Sequence, residues 1–236
     1  PDFIYQVRGF DLSNMTLVRG DTGTPVLVMA GQFNRLYRND GDAGFSEQSR
    51  PAGIADNGRT LAATWWDHNA DGLPDLYVSN DFHGADHLYE NQGDGTFEDV
   101  APRVFRYTPW YSMGSDVGDI NNDGRLDFFA SDMAGSNHFH SKMGMGDMRS
   151  EGWFLETGEP RQYMRNCMFV NTGTGPFLEV AHQTDLDASD WTWSPKFGDL
   201  DCDGRLDLFV TNGMTADWFN SDFRNGTMDD AAVAEM

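Results

Sequence analysis

The sequence predicts an all-β protein, a β-propeller built from four-stranded antiparallel blades, about four of which lie within the chain. One acidic loop recurs three times, at residues 67–75, 119–127 and 199–207. Each copy is followed by a short apolar segment of the kind that forms β-strands. The copies start 52 and then 80 residues apart. A repeat of about 40–50 residues that contains four strands is typical of propeller blades, and the longer step indicates an insertion.

The composition agrees with a protein of strands and loops. The chain has 236 residues with a formal net charge of −22, from 38 acidic and 16 basic residues, and its acids are 30 Asp and only 8 Glu. Asp competes with the helical backbone for hydrogen bonds and favours turns and hard-cation sites. The 17 Phe, 7 Trp and 7 Tyr are enough for a hydrophobic core, so the charge does not indicate disorder.

The charge also limits the partners. Nothing in the chain could neutralise a run of phosphates, so we expect neither nucleic acid nor an anionic membrane surface as a partner. No run of about 18 apolar residues predicts a helix that crosses a bilayer, so we expect no membrane insertion. The chain begins with Pro1 rather than Met, and we expect it to be part of a longer protein.

The repeating unit reads as strand, acidic loop, strand, strand, tight turn, strand. The segments of the first kind follow the acidic loops and share an apolar pattern that ends in Asn or Asp. The segments of the second kind consist of a strand, a glycine-rich turn and a Phe that begins the next strand. The first kind occurs at residues 76–80, 128–132 and 208–212, and the second at 36–45, 88–97 and 168–177. Four antiparallel strands in one small sheet follow from this order.

We divide the single propeller segment, residues 1–236, into units of about 1–47, 48–101, 102–182 and 183–236. The third unit carries an insertion at about 133–163, between its second and third strands. The first unit has a degenerate copy of the loop near Gly20–Gly23 that lacks its acidic ligands. A solenoid or a string of independent calcium-binding repeats is the alternative, because both also repeat at a fixed period.

The acidic loop follows the pattern D-x-[DN]-x-D-G-x-x-D. Side-chain oxygens at positions 1, 3 and 5 can converge on one ion if the chain turns sharply at a glycine at position 6. The carbonyl at position 7 and the Asp at position 9 complete the shell. Donor sets made only of oxygen select hard cations, and Ca²⁺ tolerates irregular geometry better than Mg²⁺. We therefore predict about three Ca²⁺ sites, with side-chain ligands Asp67, Asn69, Asp71, Asp75, Asp119, Asn121, Asp123, Asp127, Asp199, Asp201, Asp203 and Asp207 and carbonyl ligands Leu73, Arg125 and Arg205.

The sequence excludes an EF-hand. That loop needs a bidentate Glu at position 12, where this chain has Val78, Ala130 or Val210. We therefore expect each site to join two strands rather than two helices.

The repeated pattern resembles the FG-GAP/VCBS repeat proteins over residues 17–215. It consists of the acidic loop, then L-[YF]-V-[ST]-N, then L-Y-x-N-x-G-D-G-x-F. The resemblance implies an integrin-α-like β-propeller with Ca²⁺ in its outer loops, and its nearest branch is that of cartilage acidic protein and ASPIC/UnbV proteins. It further implies a secreted, periplasmic or cell-surface protein used in adhesion, ligand binding or assembly. This chain departs from the pattern at Trp66, where the other two loops are preceded by Gly118 and Gly198.

No catalytic residue is predicted. The chain contains no G-x-S-x-G, H-E-x-x-H or P-loop motif, and an Asp-rich sequence makes any pair of carboxylates uninformative. We expect a binding or adhesion module whose ligand is a protein or a glycan. A carbohydrate-active enzyme, such as a polysaccharide lyase or hydrolase, or a lectin on the same scaffold is the alternative.

Two features leave alternatives open. Cys167 and Cys202 could form one disulfide or be two buried thiols. The insertion holds His138, His140, Met143, Met145 and Met148, which could either bind a soft metal such as copper or fill gaps in a packed surface.

Overall fold

A computed structural model describes residues 15–19, 25–29, 32–56, 58–82, 84–143 and 160–213. Short strands dominate it, and its few helices span four to six residues. The strands are β1 (Met15–Arg19), β2 (Pro25–Met29), β3 (Tyr37–Asn39), β4 (Phe45–Glu47), β5 (Arg59–Trp66), β6 (Asp75–Asp81), β7 (His87–Asn91), β8 (Phe97–Asp99), β9 (Tyr107–Pro109), β10 (Gly114–Gly118), β11 (Asp127–Ser131), β12 (Arg161–Tyr163), β13 (Cys167–Val170), β14 (Leu178–Glu179), β15 (Thr192–Gly198) and β16 (Asp207–Asn212). The helices are α1 (Ser49–Ala52), α2 (Ala101–Val104) and α3 (His138–Met143), and Gly41–Ala43 form a 3₁₀ turn.

Two complete four-stranded antiparallel sheets form the described centre of the fold. Sheet I has the order β5-β6-β7-β8, and sheet II has the order β10-β11-β13-β14. Each follows chain order, with an acidic loop between its first two strands, as the repeat predicts. β15 and β16 pair in the same way and form sheet III, while β1–β2 and β3–β4 form two antiparallel hairpins. The predicted all-β fold of four-stranded antiparallel sheets is confirmed.

The sheets pack side by side through their first strands, as propeller blades do. β10 packs between β5 and β15. The Thr64 hydroxyl lies 2.7 Å from the Ser115 hydroxyl, so sheets I and II share a hydrogen bond. Between sheets II and III, the Asp116 carboxylate accepts hydrogen bonds from the Lys196 ammonium group at 3.0 Å and from the Phe197 backbone N–H at 2.8 Å.

A close approach between sheets explains one of the two glycines that precede the acidic loops. A Cβ at Gly118 would lie 2.7 Å from Leu206 Cδ1 and 3.2 Å from Phe197 Cβ of sheet III. Any larger residue would separate the two sheets. The corresponding Trp66 instead stacks on Phe128 of sheet II, with ring centroids 4.8 Å apart, and so fills the same kind of position between sheets I and II.

Aromatic side chains fill the space between sheets I and II. Phe128 is completely buried, and its ring contacts those of Trp66, Tyr77, Phe105 and Phe169. These residues come from both sheets and from the connection between them. Because blades splay apart with distance from the centre, large rings at this interface fill volume that smaller side chains would leave empty.

The predicted insertion follows β11 and returns to the sheet at β13. Its last part, β12, pairs with β9 in the only parallel pairing among the described strands. The Arg165 guanidinium lies 4.4 Å from the centroid of the Tyr107 ring and 5.6 Å from that of Tyr163, and it approaches Glu179 at 3.7 Å. This cluster holds the end of the insertion against sheet II.

The two cysteines are not bonded to each other. Cys167 is buried and Cys202 is exposed, and both are free thiols. The sequence left open one disulfide or two buried thiols, and the structure shows neither, because the thiols are not bonded and only one of them is buried. No helix within the described ranges has the length and apolar character needed to cross a bilayer.

Phe128→Ala should lower the free energy of unfolding by about 3–5 kcal/mol, because it opens a cavity among the four aromatic rings that contact Phe128. Urea denaturation measures the change. Phe209, which is 58% exposed, is the matched control. Its replacement by Ala should cost less than about 1 kcal/mol, and equal losses in the two variants would contradict the proposed core.

A partly buried histidine, His87, links two outer strands of sheet I to the segment before β5. His87 Nδ1 lies 2.7 Å from Asp99 Oδ2, and its Nε2 lies 3.6 Å from Asp56 Oδ1. Burial alone would lower the pKa of His87, but its hydrogen bonds to and the charges of Asp56 and Asp99 outweigh burial and raise it to about 10. The imidazole is therefore cationic at neutral pH.

This raised pKa gives a stability contribution with a defined pH window. The cationic form is favoured in the folded state, so the contribution is complete below the unfolded pKa of about 6.5 and declines as pH rises through about 10. The difference in unfolding free energy between the wild type and His87→Gln should therefore shrink from pH 6 to pH 10.5 in urea titrations. His182→Gln, at an exposed histidine paired with Asp187, is the control, and a difference for His87→Gln that grows with pH would contradict the assignment.

Candidate metal centre

Each predicted acidic loop connects the first two strands of one sheet. Loop 67–75 joins β5 to β6, loop 119–127 joins β10 to β11, and loop 199–207 joins β15 to β16. No described helix flanks any of them. The prediction that these loops join strands rather than helices is therefore confirmed, and an EF-hand is excluded on structural grounds as well.

The Asp at position 1 organises the turn in the same way in all three loops. Its two oxygens accept the backbone N–H groups of positions 5 and 6. In loop 67–75, Asp67 accepts from Asp71 at 3.1 Å and from Gly72 at 2.8 Å. Asp119 and Asp199 make the corresponding pairs of bonds at 2.7–3.0 Å. Three copies of one local geometry follow from three copies of one sequence pattern.

Positions 3 and 5 complete this hydrogen-bonded turn. The side-chain oxygen at position 3 accepts the N–H of position 5, and the carboxylate at position 5 accepts the N–H of position 7. In loop 119–127 these bonds run from Asp123 to Asn121 at 3.0 Å and from Arg125 to Asp123 at 2.9 Å. The other two loops repeat both bonds at 2.8–3.2 Å.

The turn needs two left-handed residues, of which the sequence indicates only one. The glycines at position 6 have φ between 84° and 88°, as their residue type predicts. Position 4 is also left-handed, with φ of 61° at Ala70, 57° at Asn122 and 63° at Cys202. Asn is the only one of these residue types that commonly adopts this conformation, so sequence reasoning had little signal with which to find it.

The Asp at position 9 has a structural role that the sequence did not reveal. Asp127 is fully buried, and its two oxygens accept backbone N–H groups on opposite sides. The Ile120 N–H at loop position 2 donates at 3.1 Å, and the Asn171 N–H after β13 donates at 2.8 Å. Asp75 makes the same two bonds with the N–H groups of His68 and Asn91. Asp207 is exposed and accepts the Leu200 N–H.

The pKa of Asp127 is raised and that of Asp75 is lowered, and the difference comes mainly from the His68 side chain beside Asp75. Burial raises the pKa of Asp127, and the nearby charges of Asp123 and Asp119 add to this. Burial acts the same way on Asp75, but hydrogen bonds, first from the His68 side chain and then from backbone N–H groups, outweigh it and lower its pKa. His68 Nδ1 lies 2.6 Å from Asp75 Oδ2.

Loop 199–207 brings three carboxylates together. One oxygen from each of Asp199, Asp201 and Asp207 lies within 4.8 Å of the other two. Among the described residues this is the only group of three or more His, Cys, Asp or Glu side chains so arranged. Loops 67–75 and 119–127 have Asn at position 3 and thus one carboxylate fewer. Asp203 is not part of this group, and its role as a ligand, like that of the carbonyls of Leu73, Arg125 and Arg205, stays a prediction.

The donor set fits a hard divalent cation. Calcium binds oxygens at 2.3–2.6 Å, so two ligands of one ion lie at most about 5 Å apart. The three carboxylates of loop 199–207 meet this limit. The predicted ligands are all carboxylate, amide or carbonyl oxygens, which is the chemistry of a calcium site and not that of a site for copper or zinc.

In the insertion, which contains the histidines and methionines of the copper hypothesis, His140 pairs with a carboxylate. His140 Nδ1 lies 2.9 Å from Asp190 Oδ1, and Ser136 donates to the other oxygen of Asp190 at 2.8 Å. These bonds hold the start of the insertion against the segment before β15. Met145 and Met148 lie outside the described residues, so the copper hypothesis stays a prediction.

The fold and the repeated loops together define a class of protein. Four-stranded antiparallel sheets, each with an acidic turn between its first two strands, form a propeller repeat module. A family model described as an FG-GAP-like repeat matches residues 67–130 and 158–210. These two segments therefore carry FG-GAP-like repeats, as the sequence motifs indicated. No curated protein sequence matches the chain significantly.

Asp127→Ala should destabilise the protein even in EDTA, because two partly buried backbone N–H groups lose their acceptor. The expected loss in unfolding free energy is about 2–4 kcal/mol. Asp123→Ala, at an exposed carboxylate in the same loop, is the matched control and should cost less under the same conditions. Urea titrations in EDTA measure both, and an unchanged stability of Asp127→Ala would contradict its structural role.

Proposed function

We propose that this chain is a calcium-binding propeller module that presents a ligand-binding surface for adhesion or assembly. We place it in a secreted, periplasmic or cell-surface protein, where millimolar calcium can fill sites of modest affinity. The observation that carries the proposal is the acidic loop, which recurs with one hydrogen-bonding pattern in three sheets and brings three carboxylates together in loop 199–207. The branch of cartilage acidic protein and ASPIC/UnbV proteins stays a prediction.

The proposed ions have an electrostatic role. The three loops hold ten acidic side chains, and like charges in one loop repel each other. Backbone N–H groups offset part of this repulsion, since each position-1 carboxylate accepts two of them. Three divalent ions would neutralise about six of the 22 excess negative charges and stabilise the folded state, which alone assembles the ligands.

The loops also connect neighbouring sheets, so the proposed ions act beyond one turn. The Asn122 side chain donates to the Gly204 carbonyl at 3.1 Å, which links loop 119–127 to loop 199–207. The Asn171 side chain donates to the His68 carbonyl at 3.1 Å, which links sheet II to loop 67–75. An ion that orders one loop therefore also orders a contact with the next sheet.

Calcium titration tests the proposal. Isothermal calorimetry of the metal-free chain should show about three sites, one for each loop. The melting temperature should rise with calcium and fall on addition of EDTA, because a ligand at a hundredfold excess over its Kd stabilises by about 2.7 kcal/mol. A melting temperature that EDTA leaves unchanged would contradict the proposal.

A paired variant assigns one site. Asp199→Asn should remove about one calcium from the stoichiometry, because the loop loses a carboxylate that lies beside two others. Asp94→Asn is the control, since Asp94 is an exposed turn residue whose oxygen accepts from Thr96, outside the acidic loops. An equal loss of calcium in both variants would show that the ions bind the general negative surface.

A further inference from the structure

A cleft of about 740 Å³ lies between sheets I and II, beside two of the acidic loops. Loop 67–75 forms one wall, and loop 119–127 together with the turn after β13 forms the other. Arg103 and Val104 of α2 border the cleft as well. Its volume is within the range of 300–1,000 Å³ that is common for small-molecule sites.

The cleft is held open by hydrogen bonds between its walls. The Asn171 side chain donates to the His68 carbonyl at 3.1 Å, across the boundary between the two sheets. The Phe177 N–H donates to the Val104 carbonyl at 3.0 Å and attaches α2 to the far end of the same turn. A ligand would therefore meet walls that are already in place, which reduces the entropy lost on binding.

One guanidinium group in the cleft is positioned in advance. Arg125 Nε donates to the Asn171 carbonyl at 2.9 Å, and its Nη2 donates to Asp123 at 2.5 Å. A Cβ on Gly173 would lie 3.2 Å from Arg125 Cδ, so the glycine leaves the space that this side chain occupies. Arg125 also lines the cleft, and these two bonds use two of its five N–H donors.

A second guanidinium group lines the same cleft. The Arg103 side chain is 60% exposed, and its Nη1 donates to Glu98 at 2.8 Å. Two arginines in one cleft are notable in a chain with only 16 basic residues against 38 acidic ones. The donors that remain on both groups suit a carboxylate, which accepts paired N–H bonds from a planar fork.

The cleft also contains oxygen acceptors, and part of its lining is apolar. The Asp67 carboxylate accepts two backbone N–H groups and keeps lone pairs for further donors, while Val104, Leu126 and Pro176 supply apolar surface. Hydroxyl groups donate to carboxylate oxygens, and the C–H faces of a sugar ring pack on apolar side chains. An acidic peptide has a carboxylate for the arginines but no neighbouring hydroxyl group for Asp67.

We propose that this cleft binds an acidic saccharide, a uronate-bearing mono- or disaccharide unit of a glycan. The sugar carboxylate pairs with Arg103 and Arg125, and a neighbouring hydroxyl group donates to a remaining lone pair of the Asp67 carboxylate. This rests on the proposed function in one respect, because an anion approaches the cleft only when calcium offsets the charge of the two acidic loops beside it.

Calorimetry on the whole 236-residue chain in calcium tests the proposal with three probes, namely digalacturonate, the neutral galactose disaccharide and triglutamate. Digalacturonate should bind, and the neutral sugar should bind at least about tenfold more weakly, because the arginines lose their charged partner. Arg103→Gln should weaken digalacturonate binding about tenfold. Arg125→Gln should weaken it as well, which provides a second variant at the other guanidinium.

Arg38→Gln is the matched control. Arg38 is also an exposed arginine, 65% accessible and paired with a single carboxylate, Asp40 at 2.7 Å, but it lies outside the cleft. The variant removes the same charge and should change binding less than about twofold. Equal weakening in Arg103→Gln and Arg38→Gln, or equal affinity for the neutral sugar, would overturn the proposal. Preferred binding of triglutamate would overturn it in favour of a peptide site.

A calcium melt on the same sample separates the two proposals. If calcium raises the melting temperature but digalacturonate does not bind, only the saccharide site is contradicted. If calcium leaves the melting temperature unchanged, the proposed calcium sites are contradicted whatever the sugar does. Digalacturonate binding that persists in EDTA would separate the cleft from the calcium loops and overturn their coupling.

Discussion

The aspartate that ends each acidic loop, buried in loops 67–75 and 119–127, connects most of the described architecture. Asp127 holds the start of its loop through the Ile120 N–H and the end of β13 through the Asn171 N–H. Asn171 in turn donates to the His68 carbonyl of the neighbouring sheet. One side chain thus ties together a turn, a third strand and an adjacent sheet. Because a buried N–H without an acceptor costs 1–3 kcal/mol, this position tolerates few other residues.

The aromatic interface between sheets I and II depends on this arrangement. Trp66 and Phe128 stand at the two ends of their acidic loops, one just before loop 67–75 and the other just after loop 119–127, and they stack at 4.8 Å. If either loop changed its turn, these rings would move apart and open the core. The hydrogen bonds of Asp127 and the aromatic packing of Trp66 and Phe128 therefore depend on each other. The loops contribute to stability as well as to the proposed metal sites.

The acidic loops also set the chemistry of the cleft beside them. Asp67 lies at the first position of one loop, and Arg125 lies at the seventh position of the next. Their spacing within each loop follows from the repeat, whereas their meeting in one cleft follows from the packing of two sheets. A strongly acidic protein can thereby have a local surface with both hydrogen-bond donors and acceptors. The charge of the ligand that such a surface prefers depends on which side chains meet there.

The sequence by itself determined the features that one repeat encodes locally. The spacing of Asp67, Asp119 and Asp199 predicted the loops, the glycine at position 6 predicted the turn, and the apolar segments after each loop predicted the second strands, because these depend on neighbouring residues. Only the tertiary structure decided that Asp127 is a buried acceptor of two backbone N–H groups, that His68 lowers the pKa of Asp75, and that β12 pairs in parallel with β9. It alone brought Arg103 and Arg125 into one cleft. Asp127 and Asn171, β9 and β12, and Arg103 and Arg125 are brought together by strands and loops that are distant in the sequence, which carries no local pattern for their contact. His68 and Asp75 are close in the sequence, but their pairing depends on the burial of both side chains in the folded protein.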